Sequence, residues 1–221
     1  MSITNYGELI PKKYKTNSFG VNKKLGINNL FRGVILAPST FGKTNLVFHI
    51  IANSPNIYGH IHLIAKNPNQ ELYNYLKDNL GREFITIYDP DKPPRVEDIK
   101  KTAEPQLVII DDYSNDKKFQ KEIFSHYFTR GRHKFLSTIF LSHSWFAGCD
   151  KMIRLNSEYC FILKANSKRD LQMILKDFNI DGVNENKIME MYNYATKNRG
   201  QFLLIDNIKN EIRKNFNEKL S

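Results

Sequence analysis

The sequence predicts an α/β fold with a mostly parallel central sheet, flanked by helices and extended at one edge by additional C-terminal strands. The first observation is a series of short apolar runs, several of them separated by helix-compatible segments: residues 32–37, 61–65, 84–88, 107–110 and 138–141. Buried strands that alternate with helices form parallel sheets with both faces covered. The second observation is a later pair of apolar runs, 159–163 and 201–205, which flank two helical stretches, 168–178 and 184–194. This later pair predicts the extension of the sheet.

Length and composition predict one domain with a tail. The chain has 221 residues, of which 41% are hydrophobic and 25% charged, which is enough apolar material for a single core. Residues 30–221 are predicted to form this domain. Residues 1–29 are predicted to form a basic arm, because they lack apolar periodicity and hold five lysines against one acid, Glu8. The lysines are Lys12, Lys13, Lys15, Lys23 and Lys24.

The charge and the cysteines restrict the class of protein. A formal net charge of +10 favours a polyanionic partner such as nucleic acid, although a lysine-rich soluble surface explains the same number equally well. The longest apolar run, residues 159–163, is far shorter than the roughly 18 residues of a transmembrane helix. The first eight residues lack the pattern of a signal peptide. Cys149 and Cys160 have no metal-site or disulfide-framework spacing, which favours a reducing, intracellular setting.

A phosphate-binding loop is predicted at residues 37–44, Ala-Pro-Ser-Thr-Phe-Gly-Lys-Thr, which match the P-loop pattern except that Ala37 replaces the first glycine. The loop joins a predicted strand to a helical pattern, and helix N-termini bind phosphate through backbone N–H groups. We expect Lys43 to contact the β and γ phosphates of ATP and the Thr44 hydroxyl to bind Mg²⁺. Ala37 is compatible with the loop only if its φ angle stays negative. The predicted nucleotide-binding residues are Pro38, Ser39, Thr40, Phe41, Gly42, Lys43, Thr44 and Asn45.

Two carboxylates, Asp111 and Asp112, follow the apolar run at 107–110 in a Walker B pattern. In an open α/β sheet, the carboxyl end of a strand is where the ligand lies. We therefore expect Asp111 to bind Mg²⁺ and Asp112 to orient or deprotonate the attacking water. One alternative is that the two acids only open a solvated turn. Another is that the base lies elsewhere, since glutamate usually fills this role, with Glu122 as a candidate.

Three further polar segments are candidates for catalysis. His143 follows the predicted strand 137–142, where a side chain can contact the γ-phosphate, so we expect it to act as a sensor; the alternative is a surface histidine that caps the strand. Arg130 and Arg132 precede that strand and are predicted to neutralise charge on the transferred phosphoryl group, at least one of them acting on a neighbouring subunit. As surface residues they would have no catalytic role. Arg154 is a third candidate.

The order and spacing of these segments resemble the viral genome-packaging ATPases of the FtsK/HerA type, found in poxvirus-like large DNA viruses and their virophages. The more specific parts of the resemblance are Thr-Arg-Gly-Arg-His at 129–133 and Ile-Arg-Leu-Asn at 153–156. The segments that carry it less specifically are residues 33–36 with 42–44, 108–112, 137–142, 201–206 and 212–216. This chain departs from the family pattern at Ala37 and at His143, where the family usually has glutamine.

The resemblance implies an ATPase that uses Mg²⁺ and drives double-stranded DNA into a preformed capsid. It also implies a homo-oligomeric ring, pentameric or hexameric, with capsid or membrane-associated virion proteins as further partners. The implied location is the host cytoplasm, a viral factory or the virion. Lys12, Lys13, Lys23 and Lys24 are then expected to face either DNA or the capsid.

Three other functions remain open on the sequence. They are a cellular DNA pump or helicase-like motor, a small-molecule kinase with the same loop, and a nucleotide-binding module without turnover. The absence of an obvious DNA-reading module disfavours the first, and the net charge of +10 together with the paired Asp111 and Asp112 disfavours the second. Stimulation of ATP hydrolysis by double-stranded DNA separates the packaging motor from the kinase and from the inactive module.

Overall fold

The computed structural model describes Leu9, Pro11, residues 19–81 and residues 83–221. Within these residues a large sheet has nine strands in the order β11-β10-β9-β8-β3-β7-β6-β4-β5, and β1 and β2 form a separate hairpin. The strands are β1 (Val21–Asn22), β2 (Ile27–Asn28), β3 (Arg32–Leu36), β4 (His60–Ala65), β5 (Ile85–Ile87), β6 (Gln106–Asp111), β7 (Leu136–Ser142), β8 (Tyr159–Ile162), β9 (Leu203–Asp206), β10 (Glu211–Lys214) and β11 (Glu218–Lys219).

The predicted fold class is confirmed. The six strands from β8 to β5 are parallel, and β9, β10 and β11 continue the sheet in antiparallel fashion at one edge. The β9–β10 connection is a short turn in which Asn210 takes a left-handed φ of 53°, a conformation that asparagine tolerates better than most residues. Short connections of this kind join antiparallel strands, whereas the parallel strands need helical crossovers.

Helices cover both faces of the sheet. They are α1 (Lys43–Ala52), α2 (Glu71–Leu80), α3 (Lys117–Phe119), α4 (Ser125–Arg130), α5 (Lys151–Leu155), α6 (Lys168–Phe178) and α7 (Glu185–Ala195). A π-helical turn, Gln120–Phe124, joins α3 to α4, and a 3₁₀ turn, Gly131–Lys134, follows α4. No helix within the described ranges is long and apolar enough to span a lipid bilayer.

The core has two layers because successive strand residues point to opposite faces of the sheet. In β3, Val34 packs in the layer formed with α4, α6 and α7, whereas Ile35 packs in the layer formed with α1 and α2. Both side chains are completely buried. Cys149 and Cys160 are buried free thiols in the first of these layers.

The last part of the predicted arm packs against the domain. In the β1–β2 hairpin, Leu25 and Ile27 are buried in the layer of α1 and α2. The side chain of Asn22 donates to the Asn53 carbonyl at 2.8 Å and to the Ser54 hydroxyl at 3.0 Å, both at the end of α1. Two apolar residues separated by one glycine are too short a pattern for sequence periodicity to detect. Lys23 and Lys24 are exposed in this hairpin, whereas Lys12, Lys13 and Lys15 lie outside the described residues.

A buried ion pair ties the antiparallel extension to the hairpin. The guanidinium of Arg213 in β10 donates to Asp206 in β9 at 2.9 Å and to the Phe216 carbonyl at 2.7 Å. A further contact reaches the Gly26 carbonyl at 3.3 Å. Arg213 and Asp206 are almost completely inaccessible to solvent. Because both charges are desolvated, each depends on the other.

We predict that Arg213→Ala destabilises the fold strongly, because it leaves the Asp206 carboxylate buried without its guanidinium partner. The expected loss is about 3–5 kcal/mol of unfolding free energy. The matched control is Arg130→Ala, which removes an ion pair to Glu97 whose side chains are 60% and 53% exposed. The control should lose less than about 1 kcal/mol. Urea-induced unfolding measures both values, and equal losses in the two variants would contradict this prediction.

Candidate active site

The strand register brings three predicted motifs to one edge of the sheet. Leu36 at the end of β3 is opposite Ser142 at the end of β7, and Leu141 of β7 is opposite Asp111 at the end of β6. The loop after each strand therefore opens into the same cleft, which has a volume of about 360 Å³. The residues that line it are Ser39, Thr40, Gly42, Lys43, Thr44, Asn45, Gln70, Leu72, Asp111, Asp112 and His143.

The cleft contains most of the predicted nucleotide-binding residues. Six of the eight line it, whereas Pro38 and Phe41 belong to the same loop but do not line this cleft. The loop ends at Gly42, which precedes the ten-residue helix α1 and adopts a φ of 91°. Glycine reaches this conformation without steric cost. The first backbone N–H groups of α1 have no partner within the helix and lie where phosphate oxygens can accept from them.

The alanine at the start of the loop is compatible with the loop conformation. Ala37 is not among the residues with positive φ, and its N–H donates to the Ser142 carbonyl at 3.1 Å. The left-handed conformation occurs instead at Thr40, with a φ of 68°, and at Gly42. Ala37 therefore extends the pairing between β3 and β7, and the turn that usually requires glycine lies three residues later.

Lys43 connects the loop to His143. Its ammonium donates to the carbonyls of Ala37 at 2.8 Å and Pro38 at 3.1 Å and lies 3.3 Å from His143 Nδ1. An ammonium has no acceptor, so Nδ1 accepts and the neutral imidazole carries its proton on Nε2. Nε2 lies 3.7 Å from Asp112 Oδ1. Burial lowers the pKa of Lys43, although the negative charges of Asp111 and Asp112 oppose this shift.

Asp111 is held by a residue that sequence reasoning missed. The hydroxyl of Tyr73, on helix α2, donates to Asp111 Oδ2 at 2.6 Å, and both side chains are buried. Burial raises the pKa of Asp111, while the hydrogen bond from Tyr73 and the charge of Lys43 oppose the rise. Burial and the negative charge of Asp111 raise the pKa of Tyr73, so its hydroxyl keeps the proton that it donates. Tyr73 and Leu76 share the buried face of α2, which is the only signal that the sequence offered.

The donor set fits Mg²⁺ bound together with a nucleotide. Within the described ranges, no three His, Cys, Asp or Glu side chains are grouped as a protein-only metal site. Thr44 and Asp111 instead offer one hydroxyl and one carboxylate, and Mg²⁺ typically combines such ligands with phosphate oxygens and water. Asp112 adopts a left-handed φ of 65°, and its side chain is exposed toward the cleft that it lines. A carboxylate in that position can contact a bound water.

The three candidate arginines lie outside this cleft within one subunit. Arg130 and Arg132 precede β7 and lie at its amino end, about 20 Å from its carboxyl end for a strand of this length. Arg132 and His133 line a different cleft of about 540 Å³ at that edge. Arg154 is bound to Asp177 at 3.0 Å and to the Cys149 carbonyl at 3.1 Å. Glu122, in the π-helical turn, does not line the cleft of the P-loop either.

One arginine that sequence reasoning did not single out contacts the P-loop directly. The guanidinium of Arg199 donates to the Thr40 carbonyl at 3.1 Å. Arg199 lies in the loop between α7 and β9, 159 residues away from Thr40 in the sequence. No local pattern predicts a contact over that separation.

The family and the fold have known counterparts. The model of the family described as Poxvirus A32 protein matches residues 89–216, which are 128 of the 221 residues. The match includes Asp111, Asp112 and His143 and begins after the P-loop. No curated protein sequence matches the chain.

Solved structures of viral packaging enzymes share the fold. The genome packaging NTPase B204 from Sulfolobus turreted icosahedral virus 2 in complex with AMP is 14% identical, with a TM-score of 0.62, and the match covers 86% of this chain and 98% of that one. Its complex with AMPPCP has a TM-score of 0.60 at the same identity and coverage. B204, the DNA-packaging ATPase from Sulfolobus Turreted Icosahedral Virus, is 15% identical, with a TM-score of 0.61 over 84% of this chain and 96% of that one.

We predict that Tyr73→Phe destabilises the protein, because the Asp111 carboxylate stays buried and loses its donor. The expected loss is about 1–3 kcal/mol of unfolding free energy. Tyr75→Phe is the matched control, since Tyr75 is on the same helix with its side chain exposed, and it should change the value by less than about 0.5 kcal/mol. Urea-induced unfolding near neutral pH measures both variants. Equal stability of the two variants would show that the hydrogen bond contributes nothing.

Proposed function

The chain belongs to the poxvirus A32 protein family, and from this premise we propose that it is an ATPase that drives double-stranded DNA into a preformed viral capsid. The observation that carries the proposal is the convergence of the P-loop, the Asp111–Asp112 pair and His143 in one cleft. The two B204 proteins that share the fold are named a genome packaging NTPase and a DNA-packaging ATPase. The net charge of +10 suits a DNA partner.

The P-loop binds the phosphates. The N-terminal N–H groups of α1 donate to phosphate oxygens, and Lys43 exchanges its contacts with the Ala37 and Pro38 carbonyls for contacts with the β and γ phosphates. Thr44 and Asp111 would hold Mg²⁺, which would supply positive charge against the phosphate oxygens. Tyr73 keeps the Asp111 carboxylate aimed at that position. Burial of Lys43 and Asp111 strengthens these electrostatic interactions relative to water.

Hydrolysis needs a base and a contact to the terminal phosphate. Asp112 orients a water and accepts its proton as the water oxygen bonds to the γ-phosphorus and the bond to the bridging oxygen of ADP breaks. His143, released from Lys43, donates from a ring nitrogen to the γ-phosphate. Because His143 also lies beside Asp112, its contact with the γ-phosphate is coupled to the position of the Asp112 carboxylate, which acts as the base.

We further propose a homo-oligomeric ring of five or six subunits. In such a ring one face of each subunit contacts a different face of the next subunit. Arg130 and Arg132, at the amino edge of the sheet, then act on the nucleotide of a neighbour. Lys23 and Lys24, exposed in the β1–β2 hairpin, are available to contact DNA phosphates or the capsid. Phosphate contacts of this kind suit a motor that moves along any sequence.

The decisive experiment measures ATP hydrolysis by the purified full-length chain with and without double-stranded DNA. We expect DNA to stimulate hydrolysis and Lys43→Ala to abolish both ATP binding and turnover. Lys187→Ala, which removes an exposed lysine on α7, is the matched control and should behave as the parent. A parental rate in Lys43→Ala would contradict the site, and a rate that DNA does not change would contradict the motor.

The action of an arginine across the subunit interface can be tested with two inactive variants. The double variant Arg130→Ala, Arg132→Ala should bind ATP normally and lose about 10³-fold or more in kcat. Asp112→Asn should also bind ATP and lose turnover, because an amide cannot accept the proton of the water.

A mixture of the two variants should regain part of the turnover, since one mixed interface pairs an intact base with intact arginines. Steady-state ATP hydrolysis of the mixture, compared with each variant alone, measures this recovery. Native mass spectrometry establishes that mixed rings are present. If mixed rings form but remain inactive, the residue that neutralises charge on the transferred phosphoryl group acts within its own subunit.

A further inference from the structure

A buried glutamine joins the two loops that carry Asp112 and His143. The base loop, residues 112–116, follows β6, and the sensor loop, residues 143–150, follows β7. Gln120 is the first residue of the π-helical turn after α3 and is completely inaccessible to solvent. It does not line the cleft of the P-loop. Any effect of Gln120 on the site is therefore transmitted through other residues.

Both polar atoms of the Gln120 side chain are paired. Nε2 donates to the Tyr113 carbonyl at 2.7 Å and to the Ser114 carbonyl at 3.0 Å, both in the base loop. Nε2 also donates to the Gly148 carbonyl at 2.9 Å, and Oε1 accepts from the Asp150 N–H at 2.7 Å, both in the sensor loop. These four partners offset the cost of burying an amide at a position where an apolar residue would be cheaper. One side chain thus holds both loops.

A second contact joins the two loops directly. The buried hydroxyl of Ser114 lies 3.2 Å from the hydroxyl of Ser142, which ends β7. The His143 N–H donates to Ser114 Oγ at 3.4 Å. Because Ser114 is two residues after Asp112, this contact connects the base loop to the backbone of His143 itself.

The sensor loop is closely packed, so its far end restricts the position of His143. The Gly148 N–H donates to the Ser144 carbonyl at 3.1 Å. A Cβ at Gly148 would overlap the Ser142 hydroxyl and the Ser144 carbonyl, so any larger residue would displace the loop. The buried carboxylate of Asp170, on α6, accepts from the Ser144 hydroxyl at 2.8 Å. A displacement of Gly148 is therefore transmitted to His143.

The π-helical turn is also attached to the base loop. The Ser125 N–H donates to the Gln120 carbonyl five residues earlier, which is the hydrogen bond that defines a π-helix. Such a turn widens a helix locally and occurs frequently at functional sites. The Gln120 N–H donates to the Asp116 carbonyl at 3.0 Å, so the turn is bonded to the base loop through its backbone as well.

We infer that Gln120 and Ser114 are positioning residues of the ATPase site, which hold the base loop and the sensor loop together. The inference rests on the proposed function, because it takes the roles of Asp112 and His143 from that site. With both loops held, Asp112 meets the attacking water while His143 contacts the γ-phosphate. Loss of these contacts slows hydrolysis and leaves ATP bound, since the P-loop follows a different strand, β3.

The experiment measures nucleotide affinity and kcat separately in the full-length chain. Isothermal titration calorimetry with a non-hydrolysable ATP analogue gives the dissociation constant and the number of sites, and steady-state ATP hydrolysis with double-stranded DNA gives kcat per site. Gln120→Met preserves the length of the side chain and removes its four hydrogen bonds. We expect a loss of about 10²-fold in kcat per site, as a displacement of about 1 Å produces, with parental affinity.

The matched control is Gln106→Met, which changes a second buried glutamine. Gln106 begins β6 and bonds to the Lys100 carbonyl and to His62, at the opposite end of the strand from Asp111. Both variants leave buried polar partners unpaired, so both should lose stability in urea. Only Gln120→Met should lose kcat per site. Equal kcat values in the two variants would overturn the inference.

A second pair of variants keeps the test independent of the stability of Gln120→Met. Ser114→Ala removes the direct contact between the loops, whereas Ser125→Ala removes a buried hydroxyl that bonds to the Lys121 carbonyl in its own helical segment. We expect Ser114→Ala to lose about tenfold in kcat per site, as one hydrogen bond contributes, and Ser125→Ala to retain the parental value.

A parental kcat in Ser114→Ala would overturn the inference even if Gln120→Met does not fold. Weaker binding of the analogue by Ser114→Ala, in proportion to its loss of kcat, would also overturn it, because the residue would then act on the phosphate loop. A parent that hydrolyses no ATP would instead refute the proposed function, and the inference with it.

Discussion

Hydrogen bonding between three neighbouring parallel strands determines where the chemistry-bearing residues lie. Strand β7 pairs with β3 on one side and β6 on the other, and Leu141 is opposite both Ile35 and Asp111. The three strands therefore end at the same level, and the P-loop, His143 and Asp112 share one cleft. A shift of one residue in this register would also turn every buried side chain of the strand to the wrong layer of the core. The packing of the core and the geometry of the site are thus set by the same pairing.

That geometry carries an electrostatic cost, which the surrounding residues offset. Asp111 is a buried carboxylate, and an unpartnered charge in that position would be costly. Tyr73 donates to it at 2.6 Å, and Lys43 supplies a positive charge nearby. Tyr73 belongs to α2, so the position of this helix depends on the same contact that orients the carboxylate. Tyr73, whose position in the sequence indicates only core packing, therefore also orients the Asp111 carboxylate.

The sequence predicted the parts of the site that follow from local pattern. The strand, loop and helix around Lys43 span the 21 residues Arg32–Ala52, and the acids lie at the end of the six-residue strand β6. The fold class predicted from such runs is confirmed. Long-range contacts carried no local signal: Tyr73 meets Asp111 across 38 residues and Arg199 meets Thr40 across 159. The sequence pattern also could not show that Ala37 is compatible with the loop, because only the backbone conformation shows that the left-handed turn lies at Thr40.

The candidate arginines and His143 lie at opposite ends of β7, which matters for the proposed ring of subunits. A residue that precedes a parallel strand lies at the amino edge of the sheet, and a residue that follows it lies at the carboxyl edge, so Arg132 and His143 are separated by the whole strand. Because β7 is buried along its full length, it cannot bend to bring them together. A ring with unlike faces in contact offers the arginines a nucleotide that their own subunit does not. In the ring proposed above, Arg130 and Arg132 would therefore act only on a nucleotide that another subunit binds.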